Sequence, residues 1–141
     1  MILLDTNVVS EPLKLKGDGA VLAWLDSQIA ETLHLSTISL AELRYGLAAL
    51  PDGKRKENLR LALEARALSL FGRRILSFDT AAAAAYGELR ARARAAGRAI
   101  ATADGYIAAT AIAHGLTVAT RDTAPFEAAG LSVINPWTFA G

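Results

Sequence analysis

Short apolar runs of strand character alternate with longer stretches of helical period along the whole chain, and this alternation restricts the fold more than any other feature. Residues 2–4, 33–35, 74–78, 116–119 and 132–134 read as strands. Residues 7–15, 20–28, 39–50, 54–71, 80–96, 104–114 and 125–129 read as helices, several of them closed by glycine or proline. Strands separated by helices require right-handed crossovers, which build a parallel sheet covered on both faces. The expected fold is one α/β domain spanning residues 1–141, with no linker, repeat or low-complexity run.

A hydrophobic fraction of 52% exceeds the usual range and argues against disorder. Charge is nearly balanced, 15 Lys+Arg against 14 Asp+Glu, which excludes the simple footprint of a basic nucleic-acid binder but allows local segregation. The absence of cysteine excludes a disulfide framework, a zinc–thiolate site and a thiol nucleophile. No positively charged leader precedes an apolar stretch, and the apolar run 105–120 is broken by His114-Gly115 and short for a membrane span. A soluble, cytoplasmic protein with no membrane partner is expected.

The first strand runs straight into an acid, Asp5, and Glu42, Asp104 and Asp122 each fall at a strand end or in the first turn of a helix. Ligands of open α/β sheets bind outside the carboxyl ends of the strands, so the topology brings all four to one edge. Each acid also has a structural explanation. Asp5 and Asp122 suit helix caps, although Thr6 or Asn7 could cap in place of Asp5. Ser39-x-x-Glu42 reads as a capping box, and Asp104 suits the helix dipole. Four carboxylates gathered together repel unless a cation neutralises them, and acids without cysteine point to a hard divalent ion, Mg²⁺ or Mn²⁺.

Four stretches then carry a family resemblance: Leu3-Leu4-Asp5-Thr6-Asn7-Val8-Val9-Ser10, Ser39-Leu40-Ala41-Glu42-Leu43-Arg44-Tyr45-Gly46-Leu47, Ala103-Asp104-Gly105-Tyr106-Ile107-Ala108-Ala109 and Thr120-Arg121-Asp122, with the closing Val133-Ile134-Asn135-Pro136-Trp137. In this order they resemble the PIN-domain nucleases, and more narrowly the VapC-type ribonuclease toxins. The resemblance implies an α/β/α sandwich around a short parallel sheet. It implies Asp5, Glu42, Asp104 and Asp122 as the acids that bind Mg²⁺ or Mn²⁺ and catalyse, with supporting hydroxyls from Thr6 and Thr120. It further implies hydrolysis of RNA phosphodiesters, silencing by a cognate antitoxin, and a homodimer. Many relatives carry Asn at the place of Asp122 and an Asp three residues on, where this chain has Pro125; the fourth carboxylate is then Asp122 itself.

Arg90, Arg94 and Arg98 are spaced to share one helix ridge and are candidates for RNA-phosphate contacts, as is Arg121; a solvated helix face and an Arg121–Asp122 ion pair are the plainer explanations. Lys54-Arg55-Lys56 opposes the dipole at a helix start, so something other than helix stability placed it there. Trp24 and Trp137 read as packing anchors, and His34 and His114 form no metal motif. Two other functions are compatible with the residues: a PIN-like module that binds RNA or protein without cutting, and an Asp5-based phosphohydrolase resembling the haloacid-dehalogenase type, which lacks its second Asp because Asn7 stands there.

Overall fold

The computed structural model describes residues 1–141, the side chain of Arg66 excepted. Its centre is β1 (Ile2–Leu4), which pairs in parallel with β2 (Leu33–Ser36) on one side and β4 (Thr117–Ala119) on the other. β3 (Ile75–Leu76) and β5 (Val133–Ile134) form the edges, giving five parallel strands in the order β3-β2-β1-β4-β5. The expected α/β/α sandwich is the fold observed.

Strand alternation sends successive side chains to opposite faces, and each face meets its own core. Leu4, Leu33, Leu35 and Ala119 pack with Val21 and Trp24 of α2 (Gly19–Ser27) and with Leu43 of α3 (Thr37–Ala48). Leu3 and Val118 face the other way, onto Leu89 of α6 (Thr80–Ala95), Ile107 and three alanines of α7 (Thr102–His114), and Phe126 of α8 (Thr123–Ala128). α6 and α7 pack closely where Tyr86 of α6 lies against Gly105 of α7; a Cβ on Gly105 would lie 3.1 Å from the Tyr86 ring.

Several element boundaries differ from expectation. The helix expected over 7–15 is a single turn, α1 (Thr6–Val9), followed by a 3₁₀ turn over Glu11–Leu13. Pro12 has no N–H for the helical ladder, and its ring collides with the carbonyl four residues back. The expected helix 54–71 is α4 (Lys54–Ala62) continued through a π-helical stretch, Leu63–Leu68, into α5 (Ser69–Phe71). The wider turns shift the phase, so Leu63 and Phe71 are buried while Leu70 is half exposed. Lys56 donates to the carbonyl of Ala48 at 3.1 Å and pairs with Asp52 at 3.3 Å, tying the end of α3 to the start of α4. β3 has two residues where five were expected. α7 closes as expected on left-handed Gly115 (φ +65°).

Candidate active site

β1 ends at Leu4, and Asp5 becomes the cap of α1: its Oδ1 accepts the Thr6 N–H at 2.8 Å. Of the two readings of this turn, Asp5 as the cap is the one observed, and Thr6 or Asn7 does not replace it. Asp5 is 5% exposed, and its Oδ2 accepts the Thr120 hydroxyl at 2.7 Å. Thr120 is fully buried at the end of β4; its oxygen also accepts the Asp122 N–H at 3.0 Å. One hydroxyl thus ties the ends of the two central strands together.

The capping box expected at Ser39-x-x-Glu42 does not form. β2 runs on to Ser36, which pairs with Leu76, so α3 starts at Thr37 and Ser36 caps it by accepting the Ser39 N–H at 3.0 Å. Glu42 accordingly sits in the second turn, not the first, and its carboxylate turns across the strand ends. Its Oε1 accepts the Thr6 hydroxyl at 2.7 Å; the Thr6 oxygen in turn is 3.0 Å from the hydroxyl of buried Ser39, which is 3.3 Å from that of Ser36. Each hydroxyl can pass one proton along this row, ending on Glu42.

Asp104 lies in the first turn of α7, half buried. Burial raises its carboxyl above the ordinary aspartate range, and the charges of Asp5, Asp122 and Glu42 raise it further. Burial likewise raises Asp5, against the lowering by its bonds to Thr120 and Thr6, and Glu42 and Asp122 add repulsion. The four acids thus share one electrostatic site. Asp122 occupies the cap position of α8, but its side chain makes no capping bond. The cap explanation fails there, and its exposed carboxylate is free to face the site.

Four carboxylates, Asp5 buried and Asp104 half buried, with mutual repulsion suit a hard cation better than any imidazole or thiolate set. Among the described residues, no three His, Cys, Asp or Glu side chains come together closely enough to hold a metal ion by themselves.

The arginines separate. Arg90 does not project freely: it lies over the Tyr86 ring, 5.6 Å from its centroid, and donates to the Ile100 carbonyl at 3.0 Å. Arg98 lies beyond the end of α6, so the expected ridge of three breaks, and Arg94 and Arg98 line an open cleft of about 560 Å³. Arg121 rests on Trp137, 5.2 Å from the ring centroid, and among the described residues it makes no ion pair with Asp122. Trp24 is the buried anchor expected, whereas Trp137 is half buried and also carries this guanidinium. Asn7 and Ser39 were missed. Asn7 reaches the Thr120 hydroxyl and the Arg121 N–H, each at 3.4 Å, and the two-serine spacing Ser36-x-x-Ser39 was the available signal for the second.

The sequence matches the PIN domain family over residues 2–131. It is 58% identical to a VapC ribonuclease of Sinorhizobium fredii, across 97% of this chain and 98% of the relative. It is 56% identical to the toxin FitB of Neisseria gonorrhoeae, across 97% of this chain and 99% of the relative. The crystal structure of FitAcB from Neisseria gonorrhoeae superposes with a TM-score of 0.95 at 55% identity, covering 99% of this chain and all of that one. With its parallel sheet and its acids at the strand ends, the chain belongs to the PIN-domain family, in the branch of the VapC-type toxins.

Proposed function

We propose that the protein is a Mg²⁺- or Mn²⁺-dependent endoribonuclease that hydrolyses RNA phosphodiester bonds and acts as the toxin of a toxin–antitoxin pair. The observation that carries the reading is the joining of Asp5 and Glu42 at the end of β1 through Thr6, whose N–H donates to Asp5 at 2.8 Å and whose hydroxyl donates to Glu42 at 2.7 Å, in a chain that matches the PIN domain over residues 2–131.

Asp5, Glu42, Asp104 and Asp122 would hold the cation, directly or through water. When bound, it supplies charge neutralisation at the phosphate and eases deprotonation of the attacking water. Thr120 fixes the rotamer of Asp5 through Oδ2, and Thr6, braced by Ser39, fixes Glu42 through Oε1. Such partners of a ligand orient it and sharpen affinity. Hydrolysis joins the water oxygen to phosphorus, breaks one P–O bond to ribose and leaves the departing oxygen protonated.

A cognate antitoxin as inhibitor and a homodimer as the working form belong to the same proposal, on the strength of the VapC-type relatives. Among the described residues no helix is long and apolar enough to cross a membrane; the cytoplasm is the proposed compartment.

The test incubates purified, antitoxin-free protein with total cellular RNA and Mg²⁺ or Mn²⁺, and maps new RNA ends by sequencing. Discrete cuts lost with EDTA and in Asp5→Asn and Asp104→Asn are expected. Cuts that persist in both folded variants would remove these acids from the chemistry. A folded protein that binds Mn²⁺ and RNA yet leaves every RNA intact would instead be the non-cutting module.

A further inference from the structure

Residues 88–98 contain Arg90, Arg92, Arg94 and Arg98 against a single acid, Glu88. Among the described residues none of these arginines makes an ion pair. The helix dipole accounts for Arg92 and Arg94, which lie in the last turn of α6. It does not account for Arg98. There the chain leaves the helix in a Schellman turn: Gly97 adopts φ +68°, its N–H bonds to the Arg94 carbonyl at 3.1 Å, and the Arg98 N–H bonds to the Ala93 carbonyl at 2.8 Å. The residue at the place of Arg98 in this motif is commonly apolar and packs back on the helix. Here it is an exposed guanidinium on a fixed backbone.

Arg94 and Arg98 line the same cleft, whose wall is the turn up to Ile100. Arg90 braces that turn through the Ile100 carbonyl. It also touches α7 where the acids begin, its Cδ lying 3.9 Å from the Cβ position of Gly105, beside Asp104. A smaller cavity of about 170 Å³ carries Arg98 and Ile100 on to Pro125 of α8, the helix that Asp122 immediately precedes. The cationic cleft is thus joined through Arg90 to the residue after Asp104, and through the smaller cavity to the helix after Asp122. A polyanion lying across the acids and leaving on this side meets planar, forked donors suited to phosphate oxygens.

We infer that Arg94 and Arg98 form a phosphate subsite for the RNA strand flanking the cleaved bond, with Arg90 as a positioning residue for the turn. This inference rests on the ribonuclease reading.

The test measures fluorescence anisotropy of a labelled single-stranded RNA over a potassium chloride series, in an Asp5→Asn background that prevents cleavage. Each phosphate contact contributes about 0.7 to the slope of log affinity against log salt. Arg94→Gln with Arg98→Gln should lower that slope by roughly 1.4, while Arg94→Lys with Arg98→Lys should keep it and a Lys16→Gln, Arg73→Gln control should leave it unchanged. In the otherwise wild-type enzyme the glutamine pair should raise KM and spare kcat. An unchanged slope in the glutamine pair overturns the subsite and leaves the ribonuclease reading standing. A background protein with no salt-dependent RNA affinity overturns the subsite as well, and wild-type RNA cleavage then decides the ribonuclease reading separately.

Discussion

Thr120→Val is the substitution that best isolates how the site is held. Valine fills the same volume and keeps one methyl, so packing at this fully buried position is nearly preserved while the hydroxyl is lost. The bond lost is a 2.7 Å donation to Asp5 Oδ2, and a hydrogen bond to a charged group contributes about 1.5–3 kcal/mol. The 3.0 Å bond from the Asp122 N–H adds up to about 1 kcal/mol, because that amide lies near solvent, and the 3.4 Å contact of Asn7 adds little. The expected loss is therefore about 2–4 kcal/mol at neutral pH, or about 6–14 °C in Tm for a chain of this size.

The loss also depends on charge. The Thr120 bond lowers the Asp5 carboxyl, so it favours the ionised form and loses its charge-assisted part once Asp5 is protonated. Urea unfolding at pH 7 and again near pH 4 should give a large penalty that shrinks to about 0.5–1.5 kcal/mol, the worth of a neutral hydrogen bond, with the m-value unchanged. Thr120→Ser should retain most of the stability. A penalty below about 1 kcal/mol at pH 7, or one equal at both pH values, would refute the account of Thr120 as the charge-assisted tie between the central strands.

Asp104→Asn should abolish cleavage and yet raise the Tm of the metal-free protein, by an amount on the scale of single stabilising substitutions, about 0.5–2 kcal/mol; an unchanged or lower Tm would mean that the acids do not repel. The native chain holds the Asp5 and Asp104 protons more tightly than the unfolded chain, whose pKa is near 3.8. The native state therefore binds more protons, and metal-free stability should fall as pH rises from about the unfolded value through the raised native ones. Saturating Mg²⁺ should flatten that fall in thermal melts, and a metal-independent pH profile would contradict it. Thr6→Val should weaken Mn²⁺ binding, measured by calorimetry, roughly 10–100-fold through the loss of the Glu42 contact, with the far-ultraviolet spectrum preserved.

The order of elements was legible because each strand is an apolar triplet or so with a polar stop, and Asp5 and Asp122 were legible because topology assigns strand ends to one edge, whereas Asp104 follows helix α6 and no strand. What was not legible is informative. The π-helical stretch carries no local mark, and only packing decides that Phe71 rather than Leu70 enters the core. Ser36 and Ser39 are equally good caps by type; the pairing of Ser36 with Leu76 prolongs β2 and settles the choice. That one-turn displacement buries Ser39 and makes it a brace for Thr6 instead of a cap. Arg90 was indistinguishable from Arg94 by spacing, yet the small Gly105 opposite lets Tyr86 and Arg90 fold down against α7.

Capping and metal binding are rival explanations of an acid at a strand end, but at Asp5 they are compatible. Oδ1 caps α1 and Oδ2 takes the Thr120 proton, while each carboxylate oxygen retains a further lone pair. Asp5 and Asp122 stand at helix cap positions and Asp104 in a first turn, where helix dipoles favour negative charge. This local support lets the chain gather acids that would otherwise scatter. It is still insufficient, since the Asp5 and Asp104 carboxyls remain above their ordinary range despite it. Burial first, and mutual repulsion added to it, leave a free-energy cost of ionisation that a cation can relieve on binding, so the strain left by folding becomes part of the affinity for the ion. A sheet edge that brings several helix starts together thus supplies both halves of the site: dipoles to hold carboxylates close, and too little neutralisation to make the ion dispensable.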